Sequence, residues 1–188
     1  MTWTAVTPMK PPGQRKSRLA GRLSVAERDA LADCLALHVA QCLAAEPRIS
    51  QILLLSAARN DAWPHQWRHD QGRGLNAELD ALRAVTRSGF LVIHSDLPLL
   101  APDDVAAMLD AAGSDRVAIA PDRRGRGTNA VALGPEIAFG FAFGDGSFAR
   151  HRQNAGGVAR IVERSGLALD LDVPEDLDMA IAQSGRDR

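Results

Sequence analysis

The stretch Phe90-Leu91-Val92-Ile93-His94-Ser95-Asp96-Leu97-Pro98-Leu99-Leu100 constrains the fold of this chain more than any other. A short, continuous run of strand-forming apolar residues is what a β-strand covered on both faces requires, and such strands belong to parallel sheets flanked by helices. The run stops at a polar pair and Asp96. A proline turn follows, and Pro102-Asp103-Asp104 opens a helix, because proline tolerates the first helical position and acids favour the helix dipole there. A central parallel strand of this kind delivers one carboxylate to the carboxyl edge of its sheet, where open α/β folds bind ligands. An aspartate that only closes a turn gives the same local pattern, so the rest of the chain has to decide.

Strands alternate with helices on either side of this run. Strands are predicted at residues 3–7, 52–55, 116–120, 128–133, 158–162 and 167–171. Ser24 with Glu27 forms a capping box before a helix whose apolar stripe is Leu31, Cys34, Leu35, Val39, Cys42 and Leu43. A second helix follows from Leu75, Leu79, Leu82 and Val85. Ser147 is expected to cap, or nearly cap, a further helix through Arg150 and His151. Residues 60–70, with Trp63, Pro64 and Trp67, show no period and read as loop, and residues 184–188 read as a frayed tail. The expected fold is α/β: a doubly wound, mainly parallel sheet with helices on both faces.

At 188 residues, 46% apolar and 24% charged, the chain suits one soluble domain spanning residues 1–188 with a sizeable core. Its formal net charge of −1 gives no global case for nucleic acid or membrane surfaces. Any anion-binding charge has to be local. Cys34 and Cys42 lie roughly 12 Å apart along one helix, too far to bridge, and read as core thiols of a reducing cytoplasm. No apolar run is long enough to suggest a membrane span, and no signal for export is recognised. His38 reads as a satisfied core or boundary histidine.

Three groups of residues carry the chemistry. Asp96, Asp170 and Asp172 stand at two predicted strand ends, and Asp170 and Asp172 share one side because the side-chain period of a strand is two. Hard carboxylate oxygens at an open site suit magnesium, which uses one or two of them together with substrate phosphates. Lys10, Arg15, Lys16, Arg18 and Arg22 make a local basic loop after the first strand, and Arg123, Arg124 and Arg126 make another. Glycines at Gly72 and Gly74, and again at Gly144 and Gly146, precede helix starts, where backbone N–H groups can face an anion. A solvated turn would account for each loop taken singly. With no Ser-His-Asp order, paired-cysteine motif, histidine cluster or Walker loop in competition, the set favours metal-assisted phosphoryl or nucleotidyl transfer.

Taken in order, Pro8-Met9-Lys10, Lys16-Ser17-Arg18-Leu19, Gln71-Gly72-Arg73-Gly74-Leu75-Asn76, Ser95-Asp96-Leu97-Pro98-Leu99, Thr128-Asn129-Ala130, Phe143-Gly144-Asp145-Gly146-Ser147-Phe148 and Asp170-Leu171-Asp172-Val173-Pro174-Glu175-Asp176 resemble the 2-phospholactate guanylyltransferase family of coenzyme F(420) biosynthesis, within the molybdenum-cofactor guanylyltransferase-like nucleotidyltransferases. The resemblance implies transfer of GMP from GTP to 2-phospho-L-lactate, phosphoenolpyruvate or 3-phospho-D-glycerate. It implies that Lys10, Lys16 and Arg18 hold the GTP phosphates, that Gly72, Gly74 and Asn76 line the nucleoside, that Asp96 with Asp170 or Asp172 binds magnesium, and that Thr128, Gly144 and Ser147 take the acceptor phosphate. Another nucleotidyltransferase, for a sugar or pterin cofactor, and a non-catalytic nucleotide-binding module are the alternatives. The acceptor and the oligomeric state stay open.

Overall fold

The structure is a computed structural model that describes residues 1–184; the tail expected at residues 184–188 lies, beyond Ser184, outside the described residues. Its elements are β1 (Trp3–Pro8), α1 (Val25–Ala44), β2 (Ile49–Ser56), β3 (Gln66–His69), α2 (Leu75–Val85), β4 (Gly89–Ile93), α3 (Pro102–Ala112), β5 (Val117–Pro121), β6 (Thr128–Leu133), α4 (Ser147–Ala155), β7 (Ala159–Ile161), α5 (Ser165–Ala168) and α6 (Pro174–Ser184). They build one seven-stranded sheet in the order β3-β2-β1-β4-β6-β5-β7. Pairing is parallel except where β6 runs against β4 and β5. Every residue of β4, β5 and β6 is buried, as double coverage of a continuous apolar run demands. Residues of α1 and α3 pack with one face of the sheet and those of α2 and α4 with the other, so the expected doubly wound architecture is the one observed. No helix among the described residues is long and apolar enough to cross a membrane.

Two features of this topology position a site. Strand order reverses at β1, whose partners are β2 on one side and β4 on the other, and the crevice outside such a reversal is where open α/β sheets hold ligands. The reversed β6 also begins where its neighbours end, so Thr128 and Asn129 reach the same edge as Asp96.

Several local expectations change. Residues 60–70 are not all loop: Gln66–His69 add a parallel edge strand to β2, four residues being too few to print a period in the sequence. The strand expected at 167–171 does not form. Ser165–Ala168 make one helical turn and the chain then runs extended without a ladder, because β1 and β6 already occupy both edges of β4. Cys34 is exposed and only Cys42 is buried; the core face of α1 runs through Ala32, Leu35, Ala36, Val39, Ala40 and Leu43, so the alanines draw the buried stripe away from Cys34. His38 is a boundary histidine bonded to the Leu100 carbonyl at 3.0 Å, and the Ser24–Glu27 capping box is present.

Candidate functional site

The carboxylates come together although their segment is not a strand. The Leu171 N–H donates to the Asp96 carbonyl at 3.0 Å, just past the end of β4. Leu171 is buried with Leu19, Leu35 and Leu169, which turns its neighbours Asp170 and Asp172 to the opposite side, beside Asp96. Asn129, itself buried, fastens this segment from β6: its amide donates to the carbonyls of Leu167 (2.9 Å) and Ala168 (3.2 Å) and to Asp170 Oδ1 (3.5 Å).

The basic loop divides into anchors and site residues. Arg15 is 4% exposed, donates to the Lys10 carbonyl and pairs with Asp33 on α1 at 2.6 Å, so it holds the loop in place. Arg22 pairs outward with Asp178. Lys16 adopts a left-handed backbone (φ 49°), unique among the non-glycines of the described residues and costing a side chain about 1–2 kcal/mol. That backbone directs its buried ammonium to Asp96 Oδ2, with Asp172 Oδ1 at 3.5 Å. Arg18 reaches Asp172 Oδ2 at 3.2 Å. Lys10 and Arg124 line the same cavity with no ion pair among the described residues.

The charge balance among the carboxylates is uneven. Burial opposes ionisation of Asp96, but the Lys16 ammonium and then the His94 imidazole outweigh it and hold this carboxyl below its usual range. Asp170 pairs with no cation among the described residues, and the His94 imidazole offsets its burial only in part. Burial, and then the charge of Asp96, push its carboxyl up. Asp96 Oδ1 is buried without a hydrogen-bond partner among the described residues. An orphaned carboxylate oxygen beside a second carboxylate that resists ionisation is a site short of positive charge, and hard oxygen donors of this kind fit magnesium. Among the described residues no three His, Cys, Asp or Glu side chains form a ready-made metal cage.

Across the cavity, the loop before α4 is held by Arg150, which donates to the carbonyls of Ala142 (2.9 Å) and Asp145 (2.5 Å). Gly146, at φ 67°, occupies the cap position of α4, so Ser147 is the first helical residue and not the cap; its side chain makes no cap bond and lines the cavity. Thr128 is buried at the start of β6 with His151 Nδ1 3.0 Å from its hydroxyl. Gly144 lies beside them on the lining.

The glycine loop before α2 is arranged differently. Gly72 and Gly74 take positive φ (79° and 92°), but the turn they make wraps protein carboxylates. Glu78 accepts from the N–H groups of Gln71 and Arg73 and pairs with the Arg73 guanidinium at 2.7 Å, while Asp70 accepts from Gly72. Asn76 clamps the backbone of Phe143, accepting from its N–H at 2.7 Å and donating to its carbonyl at 3.2 Å.

Lys10, Lys16, Arg18, Asp96, Thr128, Gly144, Ser147, Asp170 and Asp172 thus line one open cavity of about 750 Å³; Gly72, Gly74 and Asn76 do not, although Asp70 and Leu75 of the same loop do. A smaller recess of about 360 Å³ at β3 shares no lining residue with it. Sequence reasoning gave no role to His94, Asn129 and His151. The run Thr128-Asn129 was the one available signal, since a polar pair at the start of an otherwise apolar strand has to find partners.

Residues 3–187 match the family described as guanylyl transferase, CofC like. Phosphoenolpyruvate guanylyltransferase of Sphaerobacter thermophilus is 38% identical over 194 residues, covering 95% of this chain and 92% of the relative. The protein of that name from Chloroflexus aggregans is 38% identical over 178 residues, covering 86% and 88%. A nucleotidyl transferase structure from Methanothermobacter thermautotroptrophicus superposes with a TM-score of 0.65 at 13% identity, covering 100% of this chain and 99% of its own, a likeness of fold. With the family match running through nearly every residue and the carboxylates, cations and glycine loop before α4 gathered at one sheet edge, this chain belongs to the CofC-like guanylyl transferase family.

Proposed function

We propose that the chain transfers GMP from GTP to the phosphate of a small phosphorylated acid, with release of pyrophosphate, in coenzyme F(420) biosynthesis. Among the candidate acids phosphoenolpyruvate stands first, because it is the acid named for the relatives from Sphaerobacter and Chloroflexus. The observation that carries the reading is the Asp96–Asp170 pair, an orphaned oxygen and a carboxyl pushed up in pKa, at the mouth of a cavity rimmed by Lys10, Lys16, Arg18 and Arg124.

In this reading Asp96 and Asp170 hold magnesium, and Asp172 stands by as a third carboxylate that also orients Lys16 and Arg18. A bound magnesium supplies charge neutralisation at the triphosphate and at the leaving pyrophosphate. Lys10, Lys16 and Arg18 take phosphate oxygens of GTP, the loop of Gly72, Gly74 and Asn76 backs the nucleoside wall formed by Asp70 and Leu75, and Thr128, Gly144 and Ser147 receive the acceptor phosphate. An oxygen of that phosphate forms a new bond to the α-phosphorus of GTP as the bond to pyrophosphate breaks. The acceptor phosphate is already anionic near neutral pH, so no proton has to be removed and no general base is required. Alignment and charge stabilisation supply the acceleration.

The test is pyrophosphate release from purified protein with GTP, ATP or CTP against 2-phospho-L-lactate, phosphoenolpyruvate and 3-phospho-D-glycerate, with magnesium or with a chelator. The expected outcome is turnover with GTP and phosphoenolpyruvate that a chelator abolishes. Turnover with a sugar phosphate in place of all three acids would move the chain to the sugar nucleotidyltransferases.

A further inference from the structure

His151 has no exposure to solvent, lies on α4 behind the cavity wall and has no place in the reaction described above. Its two ring nitrogens are both engaged. Nε2 receives the backbone N–H of Ala142 at 2.9 Å, and Nδ1 stands 3.0 Å from the Thr128 hydroxyl oxygen. A nitrogen that accepts an N–H carries no proton of its own, so the hydrogen-bond network assigns the proton of the neutral ring to Nδ1, which donates to Thr128 Oγ1. Burial, and then the charge of Arg150, push the imidazolium pKa down to about 4, so the ring is neutral at ordinary pH. Phe143 meets the ring edge-on at 4.7 Å between centroids and Phe139 lies at 5.6 Å, which fixes its plane.

The consequence falls on Thr128. Its hydroxyl oxygen already accepts from His151, and its hydroxyl proton has no acceptor among the described residues, although the residue is only 2% exposed and lines the cavity. We infer that His151 is a positioning residue that locks the Thr128 hydroxyl as a donor aimed into the cavity, so that this subsite takes an anionic oxygen of the acceptor. The inference rests on the functional reading above and deepens it: Thr128 selects an acceptor through the direction of one proton, and that direction is set from behind by a ring that never touches substrate.

Two measurements separate the inference from that reading. Nitrogen chemical shifts of the His151 ring, recorded without substrate, should give a protonated Nδ1 and an unprotonated Nε2; a proton on Nε2 overturns the relay whatever the activity. Acceptor and GTP titrations then test its use. His151→Gln can still accept from Ala142 but cannot donate at the Nδ1 position, and should raise the KM for phosphoenolpyruvate about tenfold with the KM for GTP unchanged. His151→Asn, which places an amide donor near Nδ1, should recover most of that loss. In a Thr128→Val background, His151→Gln should add nothing, because the hydroxyl it orients is gone. Losses that add in full in the double variant, or that fall equally on both substrates, would make His151 a packing residue and overturn the inference. Thermal melts of all variants identify those that fail to fold, and for these the ring tautomer of the unaltered protein remains the deciding measurement. A protein that transfers nothing from GTP to phosphoenolpyruvate defeats the functional reading and the acceptor half of the inference together, and the tautomer measurement still decides the relay.

Discussion

Two loops of this molecule carry similar polar residues next to glycine-bearing or strand-end turns, and the structure uses them in opposite ways. At the end of β4, Asp96 keeps one buried oxygen without a partner among the described residues, and the neighbouring Asp170 has its carboxyl pushed up by burial and then by the charge of Asp96. Before α2, the donors of the Gly72–Gly74 turn are taken up internally by Asp70 and Glu78, and Asn76 is taken up by Phe143. Both stretches read in sequence as places to hold a charged ligand. A ligand site is marked by polar groups left with unmet demand at a cavity wall, whereas a structural turn meets its own demand. Leaving a buried carboxylate oxygen unmet costs free energy, about 1–3 kcal/mol or more, and a fold retains such a cost where something outside the chain offsets it.

The contrast breaks most visibly at the carboxylates. Asp96→Asn should reduce magnesium-dependent pyrophosphate release by about 10²–10³-fold or more, the scale expected when a charge that serves the transition state is removed, while circular dichroism still shows a folded protein and the melting temperature falls at neutral pH, because the ionised carboxylate is stabilised by the buried Lys16 ammonium. Near-normal activity in a folded variant would remove Asp96 from the metal. Asp170→Asn sharpens the point by moving two observables in opposite directions. Because its folded pKa is raised, Asp170 ionises at a cost to the fold, and stability is lost as pH rises from the unfolded value near 3.8 through the higher folded one. Asp170→Asn should therefore melt higher than the unaltered protein at neutral pH and turn over far less. A lower melting temperature would place Asp170 among structural carboxylates like Glu78.

The cations come next in size. Lys16→Ala and Arg18→Ala should each raise the GTP concentration needed for half-maximal rate about 10–100-fold, and Arg18→Lys should remain impaired because an ammonium does not reproduce the planar fork. Unchanged GTP saturation in all three would reduce the loop to a solvated surface paired with Asp172. Smaller again is Ser147→Ala. A hydroxyl bond to a charged phosphate contributes on the order of 1.5–3 kcal/mol, so the phosphoenolpyruvate requirement should rise at least about tenfold with that for GTP little changed. With Gly146 in the cap position, the melting temperature should hardly move.

How much of this was legible in the sequence follows the range over which each signal acts. The runs 90–93, 117–121 and 130–133 are apolar without interruption, and that pattern is dictated by coverage on both faces, so strand type and layering could be read directly. Gln66–His69 could not be read because four residues on an edge carry no period, and the extended segment at 169–172 was misread as a strand because its alternation of leucine and aspartate is set by Leu171 packing on Leu19 and Leu35, with no ladder involved. At the site, the acids and bases were visible as residue types, but their division into spent and unspent groups was not. That division depends on partners far along the chain, such as Asp33 for Arg15, Asn129 for Asp170 and Ala142 for His151. The reversal of β6, which brings Thr128 to the ligand edge, is likewise a pairing fact with no local imprint.

The smallest expected effect on catalysis comes from the loop that meets its own demand. Glu78 is held at a pKa of about 2, first by its bond to the Arg73 side chain, against the cost of burial, and then by the Arg73 backbone N–H. Its folded pKa lies below its unfolded value of 4.5, so its contribution to stability is present in full above pH 4.5 and is lost as pH falls through about 2. Glu78→Gln should therefore lower the melting temperature at neutral pH and flatten its fall between pH 4.5 and 2, since the titrating group is gone. Because the turn carries Asp70 and Leu75 at the cavity wall, a modest rise in the GTP requirement can accompany it, but turnover at saturating GTP should stay close to that of the unaltered protein. Loss of turnover to the extent expected for Asp96→Asn, with an unchanged melting curve, would reverse the comparison and make the Gly72–Gly74 turn the ligand site, with Glu78 a carboxylate serving ligand in place of fold.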